Sequence, residues 1–155
     1  TQISVAFESV FSALEPEEQS YLLKMADRQE VEDGDVILAQ GSPHRGIWLV
    51  LAGQVRIELE RPDGESDTVV GDLARLGAGE IFGEMSFVDG YPASASVVAN
   101  GRVRVLHIQA DMITALMLGD PTFGARFFRS IAITLVGRMR ATNQRVEFVP
   151  RVGKL

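Results

Sequence analysis

The sequence predicts a mainly β domain with α flanks, and three observations carry that expectation. Eleven of the 15 glycines fall between Gly34 and Gly101, mostly at turn-to-turn distances for short strands. The runs between them are β-rich, and Val55-Arg56-Ile57-Glu58-Leu59-Glu60 alternates apolar with polar residues, as a strand with one buried face does. On both sides of this block the pattern turns helical. Many short strands with regular turns close up as a sandwich, a barrel or a roll.

Taken in order, Ile3 to Leu14 supplies Val5, Phe7, Val10, Phe11 and Leu14 at spacings that suit a first helix. Glu15-Pro16-Glu17-Glu18 then puts a proline and acidic side chains where a helix N-terminus favours them, ahead of Tyr21-Leu22-Leu23-Lys24-Met25. Strands are expected at Val36–Gln40, Ile47–Ala52, Gln54–Glu60, Thr68–Leu76, Ser94–Ala99 and Arg102–Gln109. Pro62-Asp63-Gly64 reads as a turn, and Asn100-Gly101 as a two-residue hairpin between its flanking strands. A short helix over Ala110–Leu118 stops at Gly119-Asp120-Pro121, and a longer one runs from about Thr122 to about Val146. The whole of residues 1–155 is expected to form a single domain. Its parts are a helical segment (1–27), the β block (28–109), and C-terminal helices with a tail (110–155).

Composition narrows the function. At 155 residues, 46% hydrophobic and 23% charged, the chain is long enough for one buried core and too apolar for wholesale disorder. It has no cysteine, so disulfides, thiolate metal sites and cysteine nucleophiles are excluded. No apolar run approaches the ~20 residues of a membrane span, and no signal peptide opens the chain, so a soluble, cytoplasmic protein is expected. The two histidines, His44 and His107, are far apart in sequence, and no His-x-His strand, Gly-x-Ser-x-Gly elbow or phosphate-binding Walker loop is present. Trp48 and Phe87 read as core aromatics. No catalytic residues are assigned, no metal is expected, and the chain reads as a non-enzyme.

Charge is unevenly placed. Residues 1–125 carry 8 basic and 20 acidic side chains, whereas residues 126–155 carry seven basic side chains against Glu147 alone. The arginines of that last segment either form a solvated face or meet an anion or the acidic body of the same fold. On a helix turning about 100° per residue, Phe123, Phe127, Ile131, Leu135 and Met139 fall at successive steps of about 40°, with Phe128, Ala132 and Val136 widening the arc. The arc is too broad for one contact surface, so one edge is expected on the domain and the other on a second copy. Arg138 and Thr142 point along the same stripe. A charge aimed inward needs a partner, and Arg138 therefore requires an acid or a polar ligand unless the helix has already left the core by that turn.

The segment richest in chemistry runs from Gly79 to Val97. It reads as a strand end, the flexible Gly83, one short turn with free N–H groups, a tight loop and a new strand. Free N–H groups at the start of a helical turn attract an anion, and Gly83 would let a ligand approach closely. Glu84 would repel a phosphate there unless it faced a hydroxyl, and a sugar hydroxyl beside a phosphate satisfies both demands. Ser94 can donate a further hydrogen bond.

Phe82-Gly83-Glu84-Met85-Ser86-Phe87, followed by Pro92-Ala93-Ser94-Ala95, resembles the phosphate-binding cassette of the cyclic nucleotide-binding domain family. The likeness extends over nearly the whole chain, through Glu32-Asp33-Gly34-Asp35, Val50-Leu51-Ala52-Gly53-Gln54-Val55 and the closing helix pair. It implies an antiparallel β-roll of double-stranded jelly-roll type, with N-terminal helices, a short cassette helix and a C-terminal helix pair. It also implies that Gly83 and Glu84 face the ribose, with Glu84 accepting from the 2′-hydroxyl. Met85 and Ser86 would offer backbone N–H groups to the phosphate, and Ser94 its hydroxyl. Phe82 and Ala95 bound this segment. Arg138 would approach Glu84, and Thr142 and Asn143 would reach the base, one of them across a dimer.

One departure from the pattern matters. Nucleotide-binding members carry an arginine on the phosphate where this chain has Ala93. Losing one partner of such a pair costs about 2–5 kcal/mol, or roughly two to four decades of affinity. Two readings stay open. One is a cytoplasmic sensor of a cyclic nucleotide (cAMP or cGMP) or related anion, signalling through the C-terminal helix, with no other cofactor. The other is a degenerate domain that binds no nucleotide and serves dimerisation or recruitment. A homodimer through the C-terminal helix is expected in either case. The few residues after Val146 cannot fold a DNA reader, and the acidity disfavours duplex binding, so neither DNA nor membrane is an expected partner.

Overall fold

The computed structural model describes residues 2–60 and 69–147. Helix α1 (Gln2–Val10) is shorter than the expected Ile3 to Leu14 span. Phe11 and Leu14 are buried nonetheless, in the turn that follows it. Helix α2 (Pro16–Met25) starts on its proline, and the Glu18 side chain accepts from the Glu15 N–H at 2.9 Å, closing the first turn. The expected turn at Pro62-Asp63-Gly64 and the tail past Glu147 lie outside the described residues.

Strands β1 (Asp27–Val31), β2 (Val36–Leu38), β3 (Gly46–Glu60), β4 (Val69–Gly77), β5 (Ile81–Phe82) and β6 (Ser96–Gln109) form an antiparallel sheet ordered β1-β6-β3-β4, with β2 also on β6 and β5 also on β3. Helix α3 (Glu84–Asp89) follows β5, and α4 (Ala110–Gly119) and α5 (Pro121–Glu147) close the chain. This is the β-roll with helical flanks that the cassette resemblance implies.

The expected hairpin at Asn100-Gly101 is corrected. Ser94–Ala99 and Arg102–Gln109 do not fold onto one another: β6 runs unbroken from Ser96, and both halves pair with β3. The two expected strands Ile47–Ala52 and Gln54–Glu60 likewise join into one across Gly53. The pairing register shifts around Ala52, and Gly53 takes φ +88°. A Cβ on Gly53 would lie 2.5 Å from the Arg102 carbonyl oxygen, so only glycine lets the two ribbons bend together there. Asn100 donates its side-chain amide to Gln54 Oε1 at 3.0 Å across the same bend.

Two cores lie on opposite faces of this sheet. Ile47 and Leu49 of β3 face the helical layer with Phe7, Phe11, Leu22, Ile113, Phe127 and Ile131. Trp48 and Val50, one residue out of phase, face the roll interior with Leu38, Phe82, Val97, Val103 and Val105. Along α5, Phe123, Phe127 and Ile131 are buried, Leu135 is half-buried, and Met139 is 66% exposed. The helix therefore leaves the body in its second half. Arg126, near its start, forms a bidentate pair with Glu18 at 2.8 Å to each oxygen, so of the two readings of the basic segment this arginine follows the one that meets the acidic body. This hydrogen bonding holds the Glu18 carboxyl below its ordinary range.

Candidate ligand-binding site

The cassette hangs between the end of β5 and the start of β6. Phe82 is buried and stacks face to face on Trp48, with centroids 5.4 Å apart and planes 2° from parallel. Gly83 takes φ +85°, and a Cβ there would meet the Trp48 ring at 2.6 Å and the Gly46 carbonyl oxygen at 2.7 Å. Its missing side chain makes room for Trp48 and the β3 backbone, a demand for glycine beside the expected one of close approach by a ligand, and Gly83 also lines the cavity described below. The positive φ then throws the chain into the six-residue α3, which ends at Gly90 with its N–H on the Ser86 carbonyl at 2.9 Å.

Glu84 opens α3 with only 4% of its surface exposed. Arg138 reaches back from α5 and donates from Nη1 to Glu84 Oε1 at 2.9 Å, while its Nη2 donates to the Ile81 carbonyl. The pairing that the resemblance implies is present, and it gives the inward-pointing Arg138 of the angular count its acid, settling both awkward charges in one contact. Ser86 and Ala93 are buried, Ala95 is half-buried, and Met85 and Ser94 are exposed. Thr142 and Asn143 are exposed on the departing end of α5, so the inward-pointing Thr142 is corrected: its hydroxyl donates to the Arg138 carbonyl of its own helix at 3.1 Å. The angular argument fails there because the body no longer lies beside that turn.

A cavity of about 260 Å³ runs along Phe82–Ser86 and Ala93–Ala95 to Arg138, and its far wall is built by Leu38, Ile57, Ala74, Leu76 and Val97. The wall residues were not singled out from sequence. The alternation Val55-Arg56-Ile57 held the signal for Ile57, but Ala74 and Leu76 become neighbours only through β3–β4 pairing. Also missed was Arg45, whose Nη2 donates to the Gly90 carbonyl at 2.6 Å and ties down the far end of α3. The loop after α3 is fixed by reciprocal backbone bonds, Gly41 N–H to the Ala93 carbonyl at 2.7 Å and Ala93 N–H to the Ser42 carbonyl at 3.2 Å. Ser96 accepts from the Gln40 N–H at 2.9 Å.

A wider groove of about 970 Å³ opens elsewhere, past His44, Arg45, Trp48 and His107. His107 stacks on Trp48 with centroids 4.2 Å apart, and its Nε2 is buried without a hydrogen-bond partner among the described residues. Burial pushes its pKa below the ordinary 6.5, with His44 acting in the same direction and Asp27 opposing.

The sequence model of the cyclic nucleotide-binding domain, the family whose cassette this segment resembles, matches residues 28–120. The chain belongs to the cyclic nucleotide-binding domain family. The matched stretch ends at Asp120, before α5, so Arg138 lies outside it. Among relatives, the chain is 25% identical over 134 residues to the CRP-like cAMP-activated global transcriptional regulator of Mycobacterium tuberculosis, covering 86% of this chain and 56% of that protein. It is 31% identical over 140 residues to the cyclic AMP receptor protein of Thermus thermophilus, covering 90% and 61%. The chain thus spans less than two thirds of the length of these relatives. Among solved structures, a cyclic nucleotide-binding domain from Methylobacillus flagellatus superposes with a TM-score of 0.74 at 26% identity, over 98% of this chain and 88% of that one. The catabolite activator protein of Thermus thermophilus gives 0.68 at 30% identity, over 91% and 62%. Among the described residues of this cyclic nucleotide-binding domain, no helix is long and apolar enough to cross a membrane.

Proposed function

We propose that this domain is a non-enzymatic regulatory module, cytoplasmic, which takes a cyclic nucleotide or a related ligand against its cassette and reports occupancy through α5. The observation that carries this reading is the Glu84–Arg138 contact. It joins the acid beside the cavity to the half of α5 that has otherwise left the body. A ligand hydroxyl arriving at Glu84 perturbs that link, and the end of α5 is free to respond. The cAMP-linked names of the Mycobacterium tuberculosis and Thermus thermophilus relatives agree with a nucleotide-class ligand. The exposed edge of α5, with Phe128, Ile133, Val136 and Met139, offers an apolar face for a second copy, which would bring Thr142 and Asn143 of each chain close to the other. One observation favours the degenerate reading: Ala93, buried at the position of the family's phosphate arginine, supplies no charge.

Calorimetric titration of the chain and of Ala93→Arg with cAMP and cGMP tests the proposal. The chain itself should bind no tighter than millimolar, and Ala93→Arg should gain two decades or more. Absence of binding by both chains overturns the sensor reading in favour of the degenerate one.

A further inference from the structure

Charge around the cavity discriminates among the ligands this pocket can hold. Its lining contains two charged side chains, Glu84 and Arg138, and each is committed to the other. Arg138 spends a second nitrogen on the Ile81 carbonyl. Elsewhere the described wall carries the neutral Ser86 and Ser94 among apolar residues, of which Leu38, Ile57, Leu76, Phe82 and Val97 are prominent. Two arginines sit on the same strands as this wall, Arg56 on β3 and Arg75 on β4, paired opposite each other. Both alternate with the lining residues Ile57, Ala74 and Leu76, so the pleat turns them to the opposite face. Arg56 is moreover bound to Glu58 through Nε at 2.5 Å. Among the described residues, no uncommitted cation faces the space, whereas a buried carboxylate borders it.

An anion entering here would exchange water for neutral donors and apolar side chains beside a carboxylate, the arginine in the described lining being already bound to that carboxylate, a large cost without a counter-ion of its own. A neutral hydroxyl has the opposite prospect. Arg138 occupies Oε1 of Glu84, and no hydrogen bond from a described residue reaches Oε2, which leaves an acceptor beside the cavity. At about 260 Å³ the space is also small, below the roughly 300–1,000 Å³ of common small-molecule sites.

We infer that the pocket is selective for an electrically neutral occupant, a small molecule with an apolar or aromatic body and at least one hydroxyl directed at Glu84, over a phosphodiester anion. The inference rests on the reading of the cassette as a ligand site and names its ligand class.

Matched probes test it: adenosine, cyclic AMP and 2′-deoxyadenosine, titrated by calorimetry into the chain and into Ala93→Arg, with circular dichroism verifying that the variant is folded. The chain should bind adenosine at least tenfold more tightly than cyclic AMP and independently of added salt. Removal of the 2′-hydroxyl should cost at least tenfold, and Ala93→Arg should reverse the preference toward cyclic AMP. Cyclic AMP binding the unaltered chain as tightly as adenosine overturns the inference, and equal binding of adenosine and its deoxy form overturns the role of the hydroxyl. Should only Ala93→Arg bind, and only cyclic AMP, the neutral preference falls while the sensor reading stands. Should neither chain bind any probe, both fall.

Discussion

The two halves of α5 are one continuous helix in very different circumstances. From Phe123 to Ile131 it is part of the core: Phe127 is fully buried and contacts Phe11, Phe87 and Phe123, Ser130 accepts from the Ala13 N–H at 3.0 Å, and Arg126 is clamped to Glu18. From Leu135 onward burial fades, and the contact with the roll narrows to Arg138 reaching Glu84 and the Ile81 carbonyl. Apolar burial fixes the first half, and directional polar bonds hold the second. On the proposed reading, a ligand able to exchange hydrogen bonds with Glu84 would act on the second half and leave the first in place.

The largest expected effect falls on the fixed half. Phe127→Ala should lower unfolding stability by about 3–5 kcal/mol, read by denaturant titration. A loss under about 1 kcal/mol would mean that this half is not anchored as its burial indicates. Arg138→Ala leaves a buried carboxylate without its partner and should cost roughly 1–3 kcal/mol, moderated by the exposure of the arginine. Proteolysis should then cut beyond Leu135 sooner than before, while the segment up to Ile131 stays protected; equal protection in both chains would remove Arg138 as the tether. Val136→Glu with Met139→Glu alters only exposed positions, so stability should hold within about 0.5 kcal/mol. Sedimentation should show the pair of substitutions shifting any dimer to monomer, and an unchanged species would take this edge out of the interface. The smallest effect concerns His107, whose pKa is lowered by burial. The unfolded chain binds that proton more readily, so the contribution to stability is complete above pH 6.5 and is lost as pH falls through the lowered value. NMR titration should find the imidazole still neutral below pH 6.5, and the melting temperature of His107→Phe should depend less on pH in that window.

The same contrast explains what could be read from sequence. Arg138 was legible because a regular helix converts spacing into direction, and the apolar stripe of α5 fixed where inward lay. Thr142 follows the same arithmetic and is exposed, because direction along a helix says nothing about where the body beneath it ends. Strand β1 was not anticipated, since Asp-Arg-Gln-Glu-Val lacks alternation and takes its conformation from β6 alongside it. Asn100-Gly101 carried a true local preference for bending, but pairing with β3 decided that the bend occurs within a strand. Gly83 shows the same limit at the site. Its glycine was evident, yet the neighbour that demands it, Trp48, comes from a distant part of the chain.

The joint bend at Gly53 has a mechanical corollary. Ile57 and Val97, which border the cavity, and Ile47, Leu49, Leu106 and Ile108, which support the helices, are carried on the same two uncut ribbons. With no loop intervening between receptor wall and helical platform, the roll behaves as a fixed frame. Under the proposed sensor reading, travel would be confined to what is fastened onto that frame, foremost the outer turns of α5.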